Sequence, residues 1–213
     1  MVDVKNPLEG SLGGQYPWVI REVRKITPPG IEISAAICDS LEKPGLITQA
    51  LLGVLTLEVD YAKIGLYKPA SERSVREFLK RLCKVKSEFK LHGRIVAAGY
   101  ADWSRIGSVN PMRLPDLAEG LEISVLMIDT LIKDGKSTFD YMSMGELEDF
   151  VEKCRSKGFR TALAGGIRLE HLPYIKKIGC DIIGVRSLVC ENGDRVKGGI
   201  NPDKIRELKR ILS

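Results

Sequence analysis

The chain of 213 residues is 44% hydrophobic and 29% charged, which is ordinary for a globular protein and suits one folded domain, residues 1–213, with a sizeable core. Its net charge of +5 suits an anionic small-molecule substrate, while basic residues scattered among acids and a 6% aromatic content argue against nucleic acid as a partner. No apolar run is long enough to span a bilayer, and the start, Met-Val-Asp-Val-Lys-Asn, has no signal-peptide apolar stretch, so no membrane partner is expected.

In chain order, Val2–Lys5 reads as a strand, and Val19, Val23 and Ile26 share one face of the helix that follows. Ile31–Cys38 is strand-like and Ile47–Leu57 is an apolar helical stretch. Tyr61–Tyr67 is the next strand, before a helix lined by Val75, Phe78, Leu79 and Leu82 and opened by Ser74 and Glu77 as a capping box. Arg94–Ala101 precedes a short helix near Leu114–Ala118. Ile123–Thr130 precedes a helix with Leu147, Phe150, Val151 and Cys154 on one face, capped by Ser143 and Glu146. Thr161–Gly165 leads into a helix over Glu170–Ile178, and Asp181–Val185 is the last strand. Asn201 caps the final helix, with Pro202 at its first position.

Short apolar strands alternating with helices point to a parallel sheet, either a TIM-type barrel or a doubly wound sheet. Polar residues end nearly every strand: Asp3 and Lys5, Asp39, Lys63, Asp102, Asp129, the pair Gly165–Gly166, and Arg186. A barrel focuses all those ends on one mouth, which favours the α/β TIM-type (β/α)8 barrel. Such a barrel needs eight strands and seven are legible, so the expectation is a barrel lacking its first strand and helix in this chain.

Lys5, Lys63 and Lys133 sit in or beside apolar runs, two of them with a nearby aspartate, Asp3 and Asp129. A buried amine costs solvation free energy unless paired or used. Desolvation lowers its pKa, and a neutral amine can attack a carbonyl or take a proton. These lysines are therefore either strand-end ion pairs or parts of a carbonyl-processing site. Gly65, on the face of Lys63, serves either ligand room or close strand packing. Gly165 and Gly166 form either a phosphate cradle or a plain turn, and Arg186 either a phosphate clamp or a strand-end ion pair. Asp102 either orients substrate or caps the segment after it. His171 reads as a surface or capping residue and Cys38 as core. Five cysteines (Cys38, Cys83, Cys154, Cys180, Cys190) without a C-x-x-C pair, and only two histidines, His92 and His171, show neither a disulfide framework nor metal-ligand spacing. A reducing cytoplasm and no metal are expected.

The stretches Asp-Val-Lys-Asn-Pro-Leu-Glu-Gly-Ser-Leu-Gly (3–13), Lys-Pro-Gly (43–45), Lys-Ile-Gly-Leu-Tyr (63–67), Ala-Ala-Gly-Tyr-Ala-Asp (97–102), Ile-Asp-Thr-Leu-Ile-Lys-Asp-Gly-Lys (128–136), Ala-Leu-Ala-Gly-Gly-Ile (162–167) and Gly-Val-Arg (184–186) together resemble the (5-formylfuran-3-yl)methyl phosphate synthase family. The resemblance runs in order along essentially the whole chain, but the family's first strand and helix have no counterpart here. It implies an enzyme of methanofuran biosynthesis that condenses two molecules of glyceraldehyde 3-phosphate, releasing one phosphate and two waters. It makes Lys5 the Schiff-base lysine and Lys63 the proton acceptor, with Asp3, Asp129 and Lys133 the other polar residues of the mouth. Gly165, Gly166, Arg186 and Asp102 are then expected to bind substrate or its phosphate. No cofactor is implied, because the iminium itself serves as electron sink, and a homo-oligomer is allowed. The alternatives are another Schiff-base aldolase acting on phosphorylated sugars, and a non-catalytic phosphate-binding barrel.

Overall fold

The apolar runs of the sequence become seven parallel strands hydrogen-bonded in chain order: β1 (Val2–Val4), β2 (Ile33–Ser40), β3 (Tyr61–Tyr67), β4 (Arg94–Tyr100), β5 (Val125–Asp129), β6 (Arg160–Leu163) and β7 (Ile182–Ile183). The computed structural model describes residues 1–68 and 71–212. A doubly wound sheet reverses its strand order at a switch point. This sheet never does, so each crossover moves one strand further and the sheet curls in one sense. Among the described residues β1 pairs only with β2 and β7 only with β6, leaving the curl open between them. That is the arrangement expected of a (β/α)8 barrel short of one strand.

The helices are α1 (Pro17–Ile26), α2 (Pro44–Leu55), α3 (Glu72–Glu88), α4 (Trp103–Ile106), α5 (Leu114–Ala118), α6 (Met144–Ser156), α7 (Leu172–Ile178) and α8 (Pro202–Leu212). Their apolar stripes bury one face of the sheet. Ile33, Ile64, Ala97 and Leu126 pack there with Leu51, Leu79 and Phe150. Ser143 and Glu146 form the expected capping box on α6, and Asn201 accepts the amides of Asp203 and Lys204 at the head of α8. The box on α3 lies one turn earlier than expected. Ser71 and Ser74 exchange hydrogen bonds, because the helix already begins at Glu72, and Glu77 pairs instead with Lys80.

The inner face of the curl carries small residues, Ala36, Ala98, Ala162 and Ala164, beside Val96, Val125 and Met127. Small side chains leave the centre unfilled, and a cavity of about 710 Å³ opens there. Its floor is closed at the N-terminal strand ends. The Tyr61 hydroxyl donates to Glu32 at 3.1 Å and accepts from Arg160 at 2.8 Å, and also meets Arg94.

Candidate active site

Strand alternation puts Asp3 and Lys5 on the same side of the chain, and both line the cavity. Asp3 is in register with Ser34 on β2, whose hydroxyl donates to its Oδ1 at 2.5 Å. Lys63 stands one strand further, beside Ala36. The β2 residues between are small, so Lys63 reaches across them to Asp3 Oδ1 at 2.5 Å. On the opposite wall Asp129, at the end of β5, receives Lys133 Nζ at 2.8 Å. Lys133 also donates to the Thr130 carbonyl at 2.5 Å. Lys5, Lys63, Asp3, Asp129 and Lys133 thus all line one cavity.

The charges are not distributed equally. Lys63 and Lys133 each hold a carboxylate, whereas Lys5 has none within salt-bridge distance among the described residues. Burial pushes the Lys5 amine below its usual value, and the like charges of Lys63 and Lys133 push the same way, against the pull of Asp129 and Asp3. Burial alone would raise the Asp3 and Asp129 carboxyls. The cations beside them win and hold both below the usual range: Lys63 and Lys5 at Asp3, Lys133 and Lys5 at Asp129. The site therefore presents one unpaired amine between two lysine–carboxylate pairs.

A second layer, largely invisible in the sequence, fixes this arrangement. Ser11 donates to Asp129 Oδ2 at 3.2 Å and to the Thr130 carbonyl at 3.0 Å. Asp39 holds the same loop through the Leu12 amide at 2.9 Å and accepts the Tyr100 hydroxyl at 2.5 Å. Burial raises its carboxyl. Gly65 faces that tyrosine: an added Cβ would collide with the Tyr100 hydroxyl, so the glycine serves close packing and not ligand room. Asp102 does not cap the segment after it, since its side chain makes no bond to the head of α4. It is fully buried, and its two oxygens accept the Leu131 and Ile132 amides at 2.9 Å each. It braces the loop that carries Lys133 and does not line the cavity.

Gly165, Gly166 and Arg186 all line the cavity. Both glycines have positive φ, +90° and +59°, and a Cβ on either would strike the 130–138 loop, at Thr138 and Thr130 or at the Lys136 carbonyl. Arg186 donates Nε to the Arg195 carbonyl at 2.7 Å. His171 is buried, and its Nδ1 accepts the Arg168 amide at 3.1 Å, the expected capping role. Cys38 is half-buried against the core, where burial pushes its thiol up to about 11. Among the described residues no group of His, Cys, Asp or Glu is placed to hold a metal ion, and no helix is long and apolar enough to cross a membrane.

Residues 1–209 match a family model described as 4-HFC-P synthase. A (5-formylfuran-3-yl)methyl phosphate synthase of Methanopyrus kandleri is 45% identical over 213 residues, covering 100% of this chain and 90% of the relative. One of Methanococcus maripaludis is 44% identical over 211 residues, covering 99% and 89%. Among solved structures, one described as QR15, an aldolase, superposes with a TM-score of 0.64 at 13% identity, covering 99% of this chain and 95% of the other. At that identity the likeness is one of fold.

Proposed function

The chain belongs to the 4-HFC-P synthase family and is an enzyme of that kind, and from this we propose that it joins two molecules of glyceraldehyde 3-phosphate into (5-formylfuran-3-yl)methyl phosphate through an imine on Lys5. The observation that carries the mechanism is the lone unpaired amine with a lowered pKa, flanked by Lys63–Asp3 and Lys133–Asp129 in one cavity.

The neutral Lys5 amine attacks a triose carbonyl and expels its oxygen as water when the imine forms. The resulting iminium draws electrons from the adjacent carbon and acidifies its proton. Lys63 moves that proton, with Asp3 to pass it on. The Lys133–Asp129 pair supplies protons to departing oxygens. The loops of Gly165, Gly166 and Arg186 form the phosphate-holding side of the cavity. Hydrolysis of the last imine frees Lys5. Two triose phosphates equal the furan aldehyde phosphate plus one phosphate and two waters, so the atoms balance without an oxidant or reductant.

Incubation with glyceraldehyde 3-phosphate should produce furan absorbance and free phosphate in equal amounts. A reversible aldol product without a furan would make the protein a phosphosugar aldolase. Substrate binding with no adduct and no product would make it a silent phosphate-binding barrel.

The Lys5 environment also sets a pH dependence. Only the neutral amine attacks, and its fraction grows as pH rises through the lysine's pKa. Because that pKa is lowered, the initial rate of borohydride trapping with the triose phosphate should reach half its plateau below pH ~10.4, the ordinary lysine value. A midpoint at or above that value would show that the cavity does not lower the Lys5 pKa.

A further inference from the structure

Between the last strand and α8 the chain forms a strap that no sequence pattern announces. Cys190 and Ile200 pair as an antiparallel bridge, and the Glu191 amide bonds the Gly199 carbonyl at 2.9 Å. At the tip, Asp194 Oδ1 accepts the amides of Val196 and Lys197 at 2.8 and 3.0 Å. The Gly198 amide returns to the Asp194 carbonyl at 3.0 Å. Lys204 on α8 ties the base of the strap through the Cys190 carbonyl at 2.8 Å.

Asp194, Val196 and Lys197 of the tip face solvent, but Arg195 is half-buried and lines the cavity that holds Lys5, Lys63 and Asp129. Arg186, reaching over from the end of β7, braces it by donating to its carbonyl at 2.7 Å. Two arginines are thus brought together at one cavity wall, and among the described residues neither has a carboxylate within salt-bridge distance. Burial and the charge of Arg186 both press the Arg195 guanidinium below its usual value, while Asp129 and Asp39 act on it from further off. Among the described residues no buried side-chain nitrogen or oxygen lacks a partner, so the Arg195 donors that make no bond are accessible, and the residue lines the cavity. A guanidinium fork next to a second cation, with glycine loops on the same wall, is chemistry that fits a doubly charged oxyanion.

We propose that Arg195 is the phosphate-recognition residue of this cavity, and that Arg186 acts as a positioning residue by fixing the strap that presents it. This rests on the reading of the substrate as a triose phosphate, and it moves the clamp expected at Arg186 to a residue nine positions later. The strap then holds the phosphate in the same cavity as the amine that reacts with the carbonyl.

The test uses the full chain with Arg195→Ala and Arg195→Lys, and reads two quantities. The first is affinity for inorganic phosphate by titration calorimetry. The second is the concentration of aldehyde giving half-maximal borohydride trapping, for glyceraldehyde 3-phosphate and for unphosphorylated glyceraldehyde. Arg195→Ala should weaken phosphate binding at least tenfold and raise the half-trapping concentration of the phosphorylated aldehyde at least tenfold. Its value for glyceraldehyde should stay within twofold, and Arg195→Lys should recover part of the phosphate affinity. Unchanged phosphate affinity in Arg195→Ala overturns the assignment. An equal loss for both aldehydes also overturns it, since that is what a merely deformed strap would cause. If the wild-type chain gives no adduct with either aldehyde, the proposed reaction fails, while the phosphate titration still decides the role of Arg195.

Discussion

Lys5→Met is expected to abolish furan formation and reductive trapping together, while the protein folds at least as well as before. Turnover should fall by at least about 10⁴-fold, the scale seen when a covalent nucleophile is removed. Methionine fills similar volume but cannot form an imine. The substitution also removes a half-buried amine that has no ion-pair partner within salt-bridge distance among the described residues, and desolvating such a group costs free energy. Asp3 and Asp129 each keep their own lysine, so neither carboxylate is stranded. Two measurements decide the result: peptide mapping of the borohydride adduct, and thermal melting. An adduct found on another lysine in the wild-type protein, or substantial turnover by Lys5→Met, would move the nucleophile elsewhere.

Lys63→Ala should separate the steps that Lys5→Met removes at once. The imine on Lys5 should still form and be trapped, but furan production should fall by about 10²–10⁴-fold, the usual worth of a positioned acid–base group. A stability cost comes with it, because Asp3 loses its partner. Breaking a fully buried pair costs about 3–5 kcal/mol. Here Asp3 is 36% exposed to the cavity and keeps its Ser34 hydrogen bond, so the loss should be smaller. The chain should therefore remain folded and reactive toward borohydride. Equal loss of trapping and turnover in a folded Lys63→Ala would give Lys63 a part in imine formation itself.

The division of labour between the three lysines shows where sequence reading stopped. Asp3, Lys5, Lys63, Asp129 and Lys133 could be singled out because each breaks an apolar run at a strand or just past its end, and burying a charge has a cost visible in one dimension. The resemblance spread over residues 3–186 then placed them at one mouth. Which amine was left unpaired could not be read that way. Lys63 finds Asp3 only because β1 and β3 flank β2, and because Ser34 and Ala36 between them are small. Register and side-chain reach, both tertiary quantities, made Lys5 the odd one out.

The same boundary separates the remaining residues. Asp102 looked like a mouth residue because it ends a strand, yet its two oxygens are taken by the Leu131 and Ile132 amides, a choice made when the β4 and β5 loops pack together. Gly65 read equally as ligand room or close packing, and the Tyr100 hydroxyl from the neighbouring strand fills the space. Arg195 lies in a polar loop without periodicity, so nothing local marks it. Only the bridge of Cys190 to Ile200 and the hold of Arg186 turn it inward. By itself the sequence determined the elements and the parallel barrel class, because burial of apolar faces follows the 2.0 and 3.6 residue periods of strand and helix. It also marked the five charged residues of the site, because a charge inside an apolar run stands out. The tertiary structure alone decided which charges pair, which glycines serve packing and how Arg186 and Arg195 come together at the cavity, because those depend on contacts the one-dimensional pattern does not carry.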